Sequence, residues 1–439
     1  MLINSQTSDT GTYNINFPET DLFKRKKRYR SSSICVLFML IICLCIISCS
    51  KESEIAETKD TENKVYSLQA LRYAPYENGW IYLGYTDNIN YFDQKTGQST
   101  PLCNKKNCNH EAWDETTPLE QRCNAYREFP ISAIMVHNNK LYSLSNNFST
   151  EKVDLYRSNI DGTEIEKITE LNMFFTTGSA MFDEEYIYYT SIVFNPERKI
   201  DEPNDRSNFV VSINRANLST GKDEIVSEVY KGMSTSMQII GKHNSNIYYK
   251  VFSLKPDFEK MEGMESIDTR VYVVDLNTRE SKQVFTDISD CFTINDIIVD
   301  DYLYLTSQDP SNMEKREKLF YYPNTIYRID LKNNSREEIT SFIDRGDRSN
   351  RCDDWLYFPL EDSQQIKFIN LFSGAEKILK KEPYQEYYLN TISNDQLILV
   401  VEKFEIDPEN SSKGSGEMVI LSGSLSDFFA GEFEGRIIQ

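Results

Sequence analysis

The sequence predicts an all-β fold, a single β-propeller of seven four-stranded blades, on three observations. A polar turn followed by an apolar-aromatic pair recurs seven times, and the intervening strands alternate apolar and polar residues. Aromatics make up 12% of the chain, with Tyr (27) and Phe (24) dominant, which suits pleated, half-buried surfaces better than helices. Hydrophobic residues at 39% argue against disorder over most of the chain.

The seven copies are Asn78-Gly79-Trp80-Ile81-Tyr82, Asn138-Asn139-Lys140-Leu141-Tyr142, Glu184-Glu185-Tyr186-Ile187-Tyr188, Asn244-Ser245-Asn246-Ile247-Tyr248, Asp300-Asp301-Tyr302-Leu303-Tyr304, Asp353-Asp354-Trp355-Leu356-Tyr357 and Asn394-Asp395-Gln396-Leu397-Ile398. The apolar pairs begin at residues 81, 141, 187, 247, 303, 356 and 397, a mean spacing of about 53 residues. That lies just above known blade repeats and far above leucine-rich or helical-hairpin repeats. A second element, a strand running into a turn, is clearest at 89–97, 155–162, 271–277 and 326–332. In the second copy the four strands parse as A at 134–136, B at 141–145, C at 155–158 and D at 165–168. Radial stacking of such sheets buries both faces and leaves only short edges. A β-solenoid and a pair of smaller propellers share this period, because spacing alone does not close a ring.

The segments Leu155-Tyr156-Arg157-Ser158-Asn159-Ile160-Asp161-Gly162 and Ile326-Tyr327-Arg328-Ile329-Asp330-Leu331 resemble the strand-turn signature of low-density-lipoprotein-receptor-type and TolB-like propellers. The resemblance spans 65–439 and implies a scaffold, since this fold hosts unrelated functions.

The N-terminus points to export. The cluster Lys24-Arg25-Lys26-Lys27-Arg28 precedes an uncharged run at 34–48 that is too short to span a bilayer but fits a signal-peptide core. The run ends in Ile46-Ile47-Ser48-Cys49, which resembles the lipobox of bacterial prolipoproteins. The resemblance implies a signal peptide at 1–48, a lipidated (palmitate-type acylated) Cys49, and a protein held on the extracytoplasmic face of a cell membrane or outer membrane. An uncleaved anchor helix is the other reading of the run. The 23 residues ahead of Lys24 are long for such a leader, which fits a start downstream of Met1. Residues 49–64 then read as the lipidated Cys and a flexible tether without aromatics, reaching about 45–50 Å when extended. The propeller domain is expected at 65–439.

Charge excludes one class of partner. The chain carries −20, and six bases against three acids in 1–48 leave −23 beyond the leader. No basic stripe follows, so a nucleic-acid partner is not expected. Enzyme chemistry also lacks support. The chain has three His, and His137 and His243 fall at the same turn position of the repeat. No Gly-x-Ser-x-Gly elbow, phosphate-cradling loop or His-Glu-x-x-His helix is present. A paired-carboxylate site depends on spatial separation, which sequence does not give.

One constellation stands out. Cys103, Cys108, His110 and Cys123 form a potential Cys3His set for Zn, with spacing unlike a standard finger. Disulfide bonding is the alternative in an exported protein, and free thiols are a third. Beyond Cys49 the cysteines are Cys103, Cys108, Cys123, Cys291 and Cys352, an odd number that leaves at least one outside intrachain pairing. Long inserts between second and third strands are expected at 191–209, 254–269, 307–325 and 403–417. They carry the candidate ligand-binding residues Phe258, Met261, Met264, Phe320, Tyr321 and Tyr322, whose bland reading is packing onto the propeller rim. The expected function is a surface-tethered, non-catalytic binding module for a protein or envelope glycan. The alternative is a metal- or redox-dependent sensor or accessory lipoprotein that uses the Cys/His cluster.

Overall fold

The computed structural model describes residues 12–14, 65–67 and 72–438 apart from internal stretches, the longest being 198–207, 256–266, 289–295 and 407–413. Seven antiparallel sheets follow one another along the chain, each a blade with strands A to D in sequence order from inner to outer edge. Blade 1 comprises Tyr73–Tyr76, Gly79–Leu83, Ile89–Asp93 and Gln98–Pro101, and blade 2 Ile131–His137, Lys140–Asn147, Lys152–Ser158 and Glu166–Leu171. Blade 3 comprises Ser179–Phe182, Tyr186–Phe194, Phe209–Asn217 and Asp223–Gly232, and blade 4 Ser234–His243, Asn246–Leu254, Ile267–Asp275 and Ser281–Val284. Blade 5 comprises Ile297–Val299, Tyr302–Gln308, Leu319–Asp330 and Arg336–Asp344. Blade 6 comprises Asn350–Cys352, Trp355–Pro359, Gln365–Asn370 and Glu376–Lys380, and blade 7 Gln385–Ser393, Gln396–Ile406, Gly414–Ser424 and Glu434–Ile437.

The B strands explain the repeat. Ile81, Leu141, Ile187, Ile247, Leu303, Leu356 and Leu397, the first apolar residue of each copy, are all 0% exposed, and the residue after each is buried on the opposite face. Alternate side chains of one strand thus enter the packing layers on both sides of the blade.

Ring closure follows from those layers. Seven clusters of buried apolar residues each join two neighbouring blades, from blades 1 and 2 round to blades 6 and 7. The seventh joins blade 7 to blade 1 through Tyr73, Trp80, Tyr82 and Phe92 against Ile398, Ile420 and Ile438. Across this seam Trp80 Nε1 donates to Ser422 Oγ at 3.1 Å, and Arg436 donates to the Gln94 carbonyl. The chain therefore closes one seven-bladed propeller, and neither a solenoid nor two smaller rings fits.

Two short strands add to this frame. Val65–Ser67 pairs with the innermost strand of blade 3, on the side that faces the central channel. Thr12–Asn14, within the segment read as a leader, pairs with the outer strand of blade 7. Helix α1 (Leu425–Ala430) replaces the C–D turn of blade 7, with Ser424 as its N-cap and Gly431 at φ 79 closing its end. No helix among the described residues is long and apolar enough to cross a membrane. The basic cluster, the apolar run and Cys49 lie outside the described residues.

Candidate metal centre and the insert-bearing face

In a blade of alternating strands, the B–C and D–A connections emerge on one face, and the A–B and C–D turns on the other. The D–A connection from blade 1 to blade 2, residues 102–130, has no strand or helix among its described residues. It is held by specific contacts. Lys105 Nζ donates to the carbonyls of Leu119 at 3.0 Å and Arg122 at 2.5 Å, and Trp113 Nε1 donates to the Cys123 carbonyl at 3.0 Å. The Arg122 guanidinium lies 4.5 Å from the Trp113 ring centre. The Ile89 amide donates to the Ala125 carbonyl at 2.8 Å, tying the connection to the C strand of blade 1.

This arrangement brings Cys103, Cys108, His110 and Cys123 together, with one ligand atom of each within 4.8 Å of the others. Cys123 Sγ lies 3.6 Å from His110 Nδ1. Asn107 and His110 adopt positive φ (60° and 55°), so the chain turns sharply around Cys108. Cys123 is buried, Cys103 and Cys108 are half-buried against Ala125, Tyr126 and Trp113, and His110 is half-buried. A Cys3His group of this compactness can hold a metal ion such as zinc. None of the four described cysteines, Cys103, Cys108, Cys123 and Cys352, is in a disulfide.

The thiols are electrostatically unequal. Burial opposes ionisation of Cys103, but the amides of Lys105 and Asn124 and the Cys108 and Cys123 thiols hold it below the usual thiol range. Burial pushes Cys123 up to about 12, and Cys108 and Cys103 add to the rise against the pull of the Ala125 amide. Beside the cluster sits Arg127, 6% exposed. Its Nε donates to Ser143 Oγ at 3.1 Å and its Nη1 to the carbonyls of Asn124 and Tyr126 at 3.0 Å each, its Nη2 has no hydrogen-bond partner, and the guanidinium lies 5.7 Å from the Tyr156 ring centre. Burial lowers Arg127 to about 10, against the charges of Tyr156 and Cys123.

No protein-family model matches the chain, and no curated protein matches it. Among solved structures, the chain is similar to an oligogalacturonate lyase from Vibrio parahaemolyticus, at 9% identity and a TM-score of 0.39, covering 80% of this chain and 88% of that one. It is similar to TolB from Acinetobacter baumannii at 14% identity and a TM-score of 0.29, covering 79% and 78%. A chain of a nidogen/laminin complex gives 12% identity and a TM-score of 0.31, covering 68% and 90%. These scores are too low to carry an argument, so the fold rests on the strand pairing and ring closure above.

The same face carries the other expected inserts, with one correction. Phe320, Tyr321 and Tyr322 are not in a loop. The C strand of blade 5 begins at Leu319, and Glu314–Arg316 pairs with it, placing Lys315 opposite Phe320 and Glu314 opposite Tyr321. Tyr322 pairs with Asp344 of the D strand. The β-prone run Leu-Phe-Tyr-Tyr extends the ladder that a loop assignment would have ended. Likewise, blade 3 keeps its ladder to the Phe194–Phe209 pair, blade 4 to Leu254–Ile267 and blade 7 to Ile406–Gly414. Phe258, Met261 and Met264 lie outside the described residues.

Three features of this face escaped the sequence reading. Phe194 is 80% exposed at the tip of its ladder, its ring 5.2 Å from that of Phe209. A cavity of about 410 Å³ opens between blades 4 and 5, lined by Lys250, Thr269, Arg270, Gln283 and Thr306. Lys250 forms a fully buried ion pair with Asp296, whose other oxygen accepts from the Thr306 amide at 2.8 Å. The third is Arg127. A lone Lys in an alternating strand, or a lone Asp or Arg in a connection, carries no signal of burial. The two turn histidines fall on the opposite face as structural groups, His137 packing on Tyr142 and Phe182, and His243 meeting Asp301 at 2.9 Å.

Proposed function

We propose that the chain is an extracytoplasmic, lipid-anchored, non-catalytic binding module that captures a protein or glycan partner on its B–C/D–A face. The observation that carries this reading is the placement of four features on one face. The Cys3His connection, the long ladder ends, the exposed Phe194 packed against half-buried Phe209 and the cavity over Lys250 all gather there. Irregular connections on a rigid scaffold commonly carry recognition, and exposed aromatic rings are frequent anchors. The acidic net charge of −20 disfavours a nucleic-acid partner.

Anchoring rests on the resemblance of residues 46–49 to a lipobox. In cells fed labelled fatty acid, the wild-type chain should take up label and Cys49→Ala should not; label on the variant overturns the anchor. Binding is tested by capture from envelope extracts with the full chain. Phe194→Ser with Phe209→Ser should weaken capture by at least about 2 kcal/mol, the scale of a hot spot, without lowering the melting temperature. Unchanged capture by the folded double variant removes this pair from the interface. The Cys3His group favours a second reading, a metal- or redox-dependent sensor. That reading requires partner capture to change with metal content or thiol oxidation.

A further inference from the structure

We propose that Cys103, Cys108, His110 and Cys123 hold one Zn²⁺ in a closed tetrahedral site, and that the buried guanidinium of Arg127 neutralises its excess charge. Ideal zinc ligands at about 2.3 Å for sulfur and 2.0–2.1 Å for nitrogen stand roughly 3.5–3.8 Å apart around the ion. The present group, mutually within 4.8 Å and with one pair already at 3.6 Å, needs shifts of about an ångström or less to reach that geometry. Soft thiolate with imidazole selects zinc over the hard cations magnesium and calcium.

The charge balance brings in Arg127. Binding releases the three thiol protons, and Zn²⁺ with three thiolates and a neutral imidazole carries −1. Among the described residues, the hydrogen-bond acceptors of Arg127 are one hydroxyl and two carbonyls, and no carboxylate pairs with it. A buried cation so placed is costly without an anion nearby. Its Nη1 donates to the carbonyl of Asn124, the residue that follows Cys123, at 3.0 Å, which places the cation beside the cluster. Because four protein ligands fill the coordination sphere, the ion orders the connection and leaves no open position for a substrate. This inference is independent of the proposed partner, since metal content is measured without it.

The test uses the full chain purified in detergent. Elemental analysis should give about one zinc per chain, and exchange for Co²⁺ should give the intense visible bands of a tetrahedral thiolate site. Cys108→Ser should lose both while a β-sheet far-ultraviolet spectrum shows the propeller still folded. If that variant fails to fold, chelation of the wild-type chain serves instead, and it should raise amide exchange in 103–126 at least tenfold with the blades still protected. Arg127→Met should bind zinc at least tenfold more weakly in competition with a chromophoric chelator, and Arg127→Lys should recover part of the loss. A wild-type chain that holds no metal and takes up no Co²⁺, or a disulfide among Cys103, Cys108 and Cys123, overturns the site. Unchanged zinc affinity in a folded Arg127→Met overturns the role of the guanidinium, and unchanged exchange after chelation overturns the ordering role.

Discussion

On the face made by the A–B and C–D turns, six blades repeat one brace, whereas on the opposite face the described connections share none. The residue that follows the C strand donates its amide to the A–B turn of the same blade in six cases. These are Gln94 to Asn78, Leu218 to Glu185, Leu276 to Ser245, Leu331 to Asp301, Leu371 to Asp354 and Leu425 to Asp395. In five of these blades the C–D turn closes from residue i+4 to residue i, with positive φ at Gly97, Gly221, Arg279, Asn334 and Gly374. Asp or Asn at position i also accepts from the turn amides, as Asn370 does from Phe372 and Ser373. The B–C and D–A connections obey no such rule, and the Cys3His group, the Phe194–Phe209 pair and the cavity lie among them. One face repeats a brace within each of these blades, whereas the other varies from blade to blade.

The comparison can be broken at the seam that closes the ring. Trp80 is 0% exposed and bridges blades 1 and 7, so Trp80→Ala should cost about 3–5 kcal/mol, read as the denaturation midpoint. A closed ring predicts loss in a single transition, and a separate early transition for blades 1 and 7 would argue for an open stack.

Two glycines in turns of the braced face sharpen it next. Gly374 has φ +66 with nothing near an added Cβ, so Gly374→Ala should cost about 1 kcal/mol from backbone strain. Gly162 has φ +78, and an added Cβ would stand 2.3 Å from the carbonyl of Leu102, the residue just before Cys103. Gly162→Ala should therefore cost about 2–3 kcal/mol and raise amide exchange near Cys103. Equal costs at the two positions would show that the connection does not lean on its neighbouring blade.

Asp183 contributes less. It accepts from the amides of Glu185 and Tyr186 and from Lys242 of the next blade at 2.6 Å. Burial opposes its ionisation, but Lys242 and these amides hold the carboxyl below its ordinary value of 3.8. A depressed carboxyl stabilises the fold above the unfolded value and loses that contribution as pH falls through the folded one. Asp183→Asn should cost about 1–2 kcal/mol at neutral pH, and the gap to wild type should close as pH drops below 3.8. A gap that stays constant through that range would contradict the assignment.

The repeat was legible because the braced face writes it into sequence. Each apolar-aromatic pair starts a B strand, and the Asp or Asn turns end the C strands, so blade count and strand order followed directly. Ring closure was not legible, since it depends on Trp80 meeting Ser422 across most of the chain. The Cys3His group could be read because its four ligands lie within one connection, but Arg127 looked like any charged loop residue. The expected insert at 307–325 differs from the structure because the C strand already begins at Leu319 and Glu314–Arg316 pairs with it. The smallest stability effect is expected at Phe194, where Ser should change it by under about 0.5 kcal/mol because the ring is already 80% exposed.

The division of labour between the faces is tested most directly by photo-crosslinking in cells, with a photoreactive residue at Phe194 or at the exposed turn residue Asn333. A partner that docks on the B–C/D–A face should give a discrete adduct from position 194 and none from 333. Adducts from 333 alone, or equally from both, would contradict the account.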